Sequence, residues 1–169
     1  MNCLRFPGHR KFPALCLHSQ FVENYPRMKS VAQKMGIKEN SRSIAINAPD
    51  EAIKAIDTPT IDMRKRLTGE FDYIHVFVKT QKDQEKIFPK LKPHLKINGM
   101  LWVSWPKNKQ LDTDLTLPIV IKIGYSFGLV ESTTLSINST WSAIKFTHPK
   151  KGKAYKNSYG DLKKRTTSR

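Results

Sequence analysis

The chain has 169 residues, 38% of them hydrophobic, and a formal net charge of +16 at pH 7. This length allows one ordinary domain with a sizeable core. The apolar runs are too short to span a bilayer, and no apolar stretch near the start has the form of a signal peptide. We therefore expect a cytoplasmic protein without a membrane-spanning segment. Two cysteines do not form a disulfide framework.

The positive charge divides the chain into three segments. Residues 1–27 carry +3 and lack apolar periodicity, which predicts an irregular extension. Translation starting at Met28 and a genuine extension are competing hypotheses for this segment. Residues 28–149 carry +6 and contain the periodic patterns of a domain. Residues 150–169 carry +7 without periodicity, which predicts a disordered basic tail that attracts nucleic acid or another polyanion weakly, by charge alone.

The first elements of the domain are short. Ser30 and Gly36 have the residue types that begin and end a helix. Residues 44–46 predict a strand, and Asp50 is a suitable N-cap for a helix that ends near residue 56. Residues 60–67 contain three adjacent cations, which favours an exposed edge strand at best.

The strongest strand pattern covers residues 73–78, which are nearly all β-branched or aromatic. Such a run is typical of a strand buried on both faces of a parallel sheet. A helical pattern follows, in which Pro89 predicts a kink or a break. Asn98-Gly99 predicts a turn into a strand at 100–105, and Pro106 stops that strand.

The last part of the domain predicts a helix and a hairpin. Thr116 is a suitable N-cap, and Gly128 is a suitable left-handed cap at the other end of the helix. Residues 129–137 and 141–147 are β-rich and are separated by a short turn, so they should pair antiparallel. The order of elements predicts an α/β fold: a single Rossmann-like, three-layer domain with a mostly parallel sheet, closed by an antiparallel C-terminal hairpin.

Several motifs resemble known families. "GEFDYIHVFV", "LKPHLKINGMLWVSWPK" and the final hairpin resemble the second half of the class I S-adenosylmethionine-dependent methyltransferase fold. "VAQKMGIKENSRSIAINAPDEAI" and "RLTGEFDYIHVFVKT" are among the motifs that resemble a family of small bacterial proteins of unknown function, over about residues 28–147. This second resemblance implies a shortened methyltransferase-like Rossmann domain and no established activity.

The segment "SIAINAPDEA" departs from the methyltransferase pattern. A methyltransferase of this class uses a glycine-rich turn after the first strand and an acidic residue at the end of the second. Here Ala48 adds a side chain in the turn and Pro49 removes a backbone donor, while Asp62 is followed by cations. The interval between the strand at 44–46 and the strand at 73–78 is also short, so one βα unit of this fold is missing or reduced. We therefore expect a non-catalytic binding or partner module without a cofactor; the alternative is a small methyltransferase with an atypical S-adenosylmethionine loop.

Ligands of open α/β sheets bind beyond the carboxyl ends of the strands. The polar and aromatic residues at these predicted ends are candidates for ligand binding: Asn47, Asp50, Lys79, Trp105 and Lys107. Each also has a purely structural interpretation, such as capping a helix or packing in the core. No residue is predicted to be catalytic.

Histidines and cysteines give no clear site. His75 lies within the buried strand and is interpreted as a core residue, since no serine, cysteine or carboxylate is spaced to act with it. Cys3, Cys16, His9 and His18 lack the close pairing of a zinc site, so we predict no metal.

Overall fold

The computed structural model describes residues 28–158 and 160–162. The predicted extension at 1–27, and with it the choice of start site and the four cysteine and histidine residues considered for zinc, lies outside these ranges. Within them, no helix combines the length and apolar character needed to cross a membrane.

The described chain contains four α-helices, two 3₁₀ turns and eight strands. The helices are α1 (Val31–Met35), α2 (Asp50–Ile56), α3 (Gln81–Leu91) and α4 (Leu117–Ser126), and the 3₁₀ turns are Lys92–His94 and Gln110–Asp112. The strands are β1 (Arg42–Ile46), β2 (Asp62–Met63), β3 (Phe71–Phe77), β4 (Leu95–Pro106), β5 (Val130–Ser136), β6 (Trp141–Thr147), β7 (Tyr155–Asn157) and β8 (Gly160–Leu162).

Six strands form one sheet in the order β2-β1-β3-β4-β6-β5. β1 pairs parallel with β2 and with β3, and β3 pairs parallel with β4. In contrast, β6 pairs antiparallel with both β4 and β5. This arrangement confirms the predicted α/β fold with its closing hairpin. It follows from the sequence pattern, because a continuous apolar strand such as β3 is stable only where helices cover both faces.

The helices pack on opposite faces of the sheet. On one face, residues of α1 and α2 pack in a buried cluster with residues of the sheet that include Tyr73, Phe77 and Trp102. The other face joins α3 and α4 to a second cluster, in which Phe88 of α3 contacts the Phe146 ring edge-on at 5.8 Å between centroids. The carboxyl ends of β1 and β3 lie between these two layers.

The connection between β2 and β3 is reduced. Residues 64–70 form no helix, and Leu67 within them packs against the cluster that holds α3 and α4. The link therefore crosses β1 on that face as a short irregular segment. This link stands where the sequence spacing predicts a missing or reduced βα unit. In the described structure, α3 is therefore the helix beside the carboxyl end of β1 on this face.

The predicted turn at Asn98-Gly99 is wrong, and the helix does not break at Pro89. Asn98 and Gly99 lie inside β4, opposite a shift of register between Phe71 and Tyr73. A Cβ atom on Gly99 would lie 2.9 Å from the carbonyl oxygen of Phe71, so glycine here permits close approach of two strands. Similarly, α3 continues through Pro89 into the following 3₁₀ turn.

Two further expectations need correction. The N-cap of α2 is Pro49, without a side-chain hydrogen bond, and Asp50 is the first residue of the helix. In the segment expected to be a disordered tail, β7 and β8 pair antiparallel, and the partly buried Tyr155 and Leu162 pack against the cluster of α3 and α4. These two apolar side chains give the hairpin a surface to pack on.

Candidate ligand-binding site

A cavity of about 580 Å³ opens at the carboxyl ends of β1 and β3. Here the order of the sheet reverses, because β1 leads to β2 on one side and β3 leads to β4 on the other. Open α/β sheets bind ligands at such switch points, and the volume is in the range of small-molecule sites. The lining consists of Asn47, Ala48, Pro49, Phe77, Val78, Lys79, Asp83, Lys86, Ile87, Lys90 and Trp141.

The turn after β1 forms one wall. Asn47 has a positive φ of 54°, a left-handed conformation that asparagine tolerates better than most residues. Ala48 and Pro49 follow in the wall before α2 begins. The polar group that this turn offers to a ligand is therefore the side chain of Asn47, which is exposed.

The opposite wall is one face of α3. Thr80 begins the helix by accepting a hydrogen bond from the backbone N–H of Asp83 at 3.1 Å. Burial of Phe88 and Leu91 against the core sets the rotation of the helix. The neighbouring side of the helix, which begins at Asp83 and continues at positions 86, 87 and 90, therefore points toward the cavity. It carries Lys86, Ile87 and Lys90.

The cavity is positively charged. Three lysines line it, one at the end of β3 and two on α3, against the single carboxylate of Asp83. Within the described residues, the ion pairs join Arg64 to Asp62 and Lys96 to Asp72, and neither involves a side chain of the cavity. The lysine ammonium groups are thus left to solvent or to a ligand, and their field favours an anion.

Aromatic side chains form the apolar base of the cavity. Phe77 and Trp141 are almost fully buried, and their rings meet edge-on with centroids 5.1 Å apart. The indole Nε1 of Trp141 donates a hydrogen bond to Oε1 of Glu51 at 3.4 Å. Because both rings are held by packing and are only 2–3% exposed, the base is formed without a ligand but offers it little aromatic surface.

The structure brings together two of the five residues predicted from the strand ends. Asn47 and Lys79 both line the cavity. Asp50 is exposed at the start of α2 and is not part of the lining. Trp105 is 5% exposed and packs in the cluster with α3 and α4. Lys107 donates hydrogen bonds to Ser136 and Asn138 and so holds the turn between β5 and β6.

Sequence reasoning missed the lysines of α3. Lys86 and Lys90 are one helical turn apart, flanking Ile87, and such a pattern is typical of an ordinary solvated helix face. The available signal was their position next to the buried stripe of the helix that follows β3. The rotation of α3 against the sheet makes this face a wall of the cavity.

The residues do not fit the usual contacts of S-adenosylmethionine. Ala48 and Pro49 occupy the turn where a methyltransferase needs glycine and backbone donors. Asp62 cannot replace the ribose-binding acid. In the sheet it lies opposite Arg42, the first residue of β1 and so at the end away from the cavity, and its carboxylate forms an ion pair with Arg64 at 2.9 Å. The lysines also oppose the positive sulfonium of this cofactor.

A buried polar chain lies on the face of the sheet that α1 and α2 cover, next to Phe77. The Tyr73 hydroxyl is 2.7 Å from Nδ1 of His75, and Nε2 of His75 is 2.7 Å from Oγ of Ser104. Burial lowers the pKa of His75 to about 3 and raises the pKa of Tyr73, because both charged forms lose solvation. A serine therefore does pair with His75, contrary to the sequence analysis, since β4 brings Ser104 beside β3.

This chain of side chains is structural. Tyr73, His75 and Ser104 are 0–1% exposed, so no substrate reaches them. The hydrogen bonds satisfy polar groups that would otherwise be costly to bury. The interpretation of His75 as a core residue agrees with this geometry.

No protein-family model matches the chain, and no curated protein matches its sequence. Solved structures do resemble it. Ribosomal protein L11 methylase from Lactobacillus delbrueckii subsp. bulgaricus is 12% identical, with 70% of this chain and 74% of that chain covered and a TM-score of 0.45. A TehB-like SAM-dependent methyltransferase from Corynebacterium glutamicum is 10% identical, with 72% and 89% covered and a TM-score of 0.46.

Fibrillarin from Aeropyrum pernix, whose structure contains natively bound S-adenosyl-L-methionine, is also similar. It is 10% identical, with 69% of this chain and 73% of that chain covered and a TM-score of 0.46. At such identities the likeness is one of fold. The chain has a shortened methyltransferase-like Rossmann fold, in which β1 to β4 correspond to the first, second, fourth and fifth strands and β5–β6 is the closing hairpin.

Proposed function

We propose that this protein is a methyltransferase-like binding module that holds a small ligand in the cavity between β1 and β3 and does not transfer a methyl group. The single observation that carries the proposal is the cationic cavity at the switch point of the sheet. A preformed concave site with a few polar groups is the usual form of a small-molecule site.

The composition of the cavity supports binding rather than chemistry. Its lining has no serine, cysteine or histidine, and its one carboxylate is Asp83. Acid–base or nucleophilic catalysis requires a group with a matched pKa beside a reacting atom. The nearest such arrangement in the described residues, around His75, is sealed inside the sheet.

The second candidate is a small S-adenosylmethionine-dependent methyltransferase. The position of the cavity favours it, because the turn after β1 is where this fold holds its cofactor. The side chains of that turn and the lysines oppose it. A cavity can nonetheless bind a cofactor through contacts other than the usual ones, so a direct measurement has to separate the two functions.

Amide NMR spectra and thermal stability of the full chain, with and without ligand, test both functions. Ligands that bind the native state raise its apparent stability. We expect saturating S-adenosylmethionine and S-adenosylhomocysteine to leave the Tm and the amide signals of Asn47, Lys79 and Ile87 unchanged. A saturable change at these amides, together with transfer of a labelled methyl group to a cell extract, would establish the methyltransferase instead.

Nucleic-acid binding through the basic segment after residue 149 is a separate possibility, based on its charge. Lys150, Lys151, Lys153 and Lys156 are exposed in the described part. Binding of this kind weakens steeply with salt. Replacing these four lysines by glutamine should reduce the salt dependence of RNA binding, and an unchanged slope would exclude the segment.

A further inference from the structure

We propose that the ligand of the cavity is a phosphorylated small molecule of about mononucleotide size, whose phosphate is bound by Lys79, Lys86 and Lys90. This inference rests on the proposed function and specifies the ligand class. Lysines from two different elements, the end of β3 and one face of α3, line the same cavity. Lysine binds phosphate as a compact charge with three donors.

The charge balance of the lining favours a ligand with more than one negative charge. Three lysines face one carboxylate, and the described ion pairs involve none of them. Lys86 and Lys90 are one turn apart on α3, which places their stems side by side. A phosphate group can accept hydrogen bonds from both, whereas a singly charged carboxylate neutralises less of this field.

The shape of the cavity favours a small molecule over a polymer. Its volume of about 580 Å³ is typical of a small-molecule site. The half-buried apolar side chains of Ala48, Pro49 and Ile87 lie in the same cavity as the lysines. A ligand with a phosphate and an apolar part therefore satisfies both surfaces, and a nucleotide or a similar phosphorylated compound has this chemistry.

The missing βα unit explains why this site differs from that of a full methyltransferase. The short link at 64–70 leaves the side of α3 that bears Lys86 and Lys90 facing the end of β1. With no intervening helix in the described residues, these lysines line the cavity. Shortening of the fold thus opens the same edge of the sheet to an anion.

The test is calorimetric titration of the full chain with AMP, inorganic pyrophosphate and adenosine, with amide NMR as the second readout. We expect AMP and pyrophosphate to bind and to shift the amide signals of Lys79 and Ile87, and adenosine to bind at least about tenfold more weakly than AMP, since hydrogen bonds to charged groups are the strong ones. The double variant Lys86→Gln with Lys90→Gln should weaken AMP binding by about tenfold or more.

A charge-matched control separates a site from general attraction. Lys82 on α3 and Lys122 on α4 are exposed and do not line the cavity. The double variant Lys82→Gln with Lys122→Gln removes the same charge and should change AMP affinity by less than about twofold. Equal losses in the two double variants would overturn the inference, because the binding would then follow net charge.

The other outcomes distinguish this inference from the proposed function. If adenosine shifts the cavity amides and AMP does not, the phosphate inference is wrong and the binding module stands. If an RNA homopolymer binds at these lysines and AMP does not, the small-molecule inference is also wrong. If no probe in a chemically diverse fragment library shifts the amides of Asn47, Lys79 and Ile87, both proposals fail.

Discussion

Substitution His75→Gln probes the buried chain between Tyr73 and Ser104 through the pH dependence of stability. The pKa of His75 is lowered from 6.5 to about 3 by burial. In the native state the ring is therefore neutral, and below pH 6.5 the unfolded chain binds a proton that the folded chain does not. The contribution of the neutral His75 to the free energy of unfolding is therefore fully present above pH 6.5 and is lost as the pH falls from 6.5 towards 3.

The expected magnitude follows from the size of the shift. Each pH unit between the two pKa values costs about 1.4 kcal/mol of unfolding free energy. Between pH 7.5 and pH 5, His75 should therefore contribute a loss of about 2 kcal/mol. The lowered pKa of Asp72, caused first by its hydrogen bond from Lys96, has its effect below about pH 4, outside this window.

Urea unfolding, followed by tryptophan fluorescence at several pH values from 7.5 to 5, measures this contribution. His75→Gln should be less stable than the wild type at pH 7.5, because the two buried hydrogen bonds of His75 are altered, but its stability should fall less on acidification by about 2 kcal/mol. His94→Gln is the control: His94 is only half-buried, with Nδ1 2.6 Å from the carbonyl oxygen of Gly69. It leaves His75 in place and should keep the pH dependence. Parallel stability curves for His75→Gln and the wild type would refute the reasoning.

Three further substitutions test packing and capping. Gly124→Ala would place a Cβ atom 2.1 Å from Cε1 of Phe146, so overpacking should lower the unfolding free energy by about 1–3 kcal/mol. The double variant with Phe146→Leu should recover part of this loss. An unchanged urea midpoint for Gly124→Ala would contradict the packing. Asp50→Ala should cost about 0.5 kcal/mol or less, since Asp50 makes no cap bond and contributes only through the helix dipole. Thr80→Ala should cost about 1 kcal/mol by removing a cap that is present, and a larger loss for Asp50→Ala in the same assay would mean that Asp50 does cap α2.

Local sequence patterns were sufficient for most of the elements. The apolar run of β3, the glycine at 128 and the short turn before β6 predicted the strand, the helix end and the hairpin. Errors arose where one element depends on another. Asn98-Gly99 has the composition of a turn, but the close approach of Phe71 makes it part of β4. The β7–β8 hairpin was missed because the apolar side chains of Tyr155 and Leu162 indicate structure only beside the core cluster that they contact.

By itself the sequence determined the class of fold, the shortened middle of the domain and the atypical turn at 47–50, because these depend on periodicity, spacing and residue type. Only the tertiary structure decided which side chains share the cavity. Lys86 and Lys90 join Asn47 and Lys79 through the rotation of α3 on the sheet. The pairing of His75 with Ser104, which are 29 residues apart, depends on strand register. Rotation and register are set by the packing of the whole core, which no local pattern records.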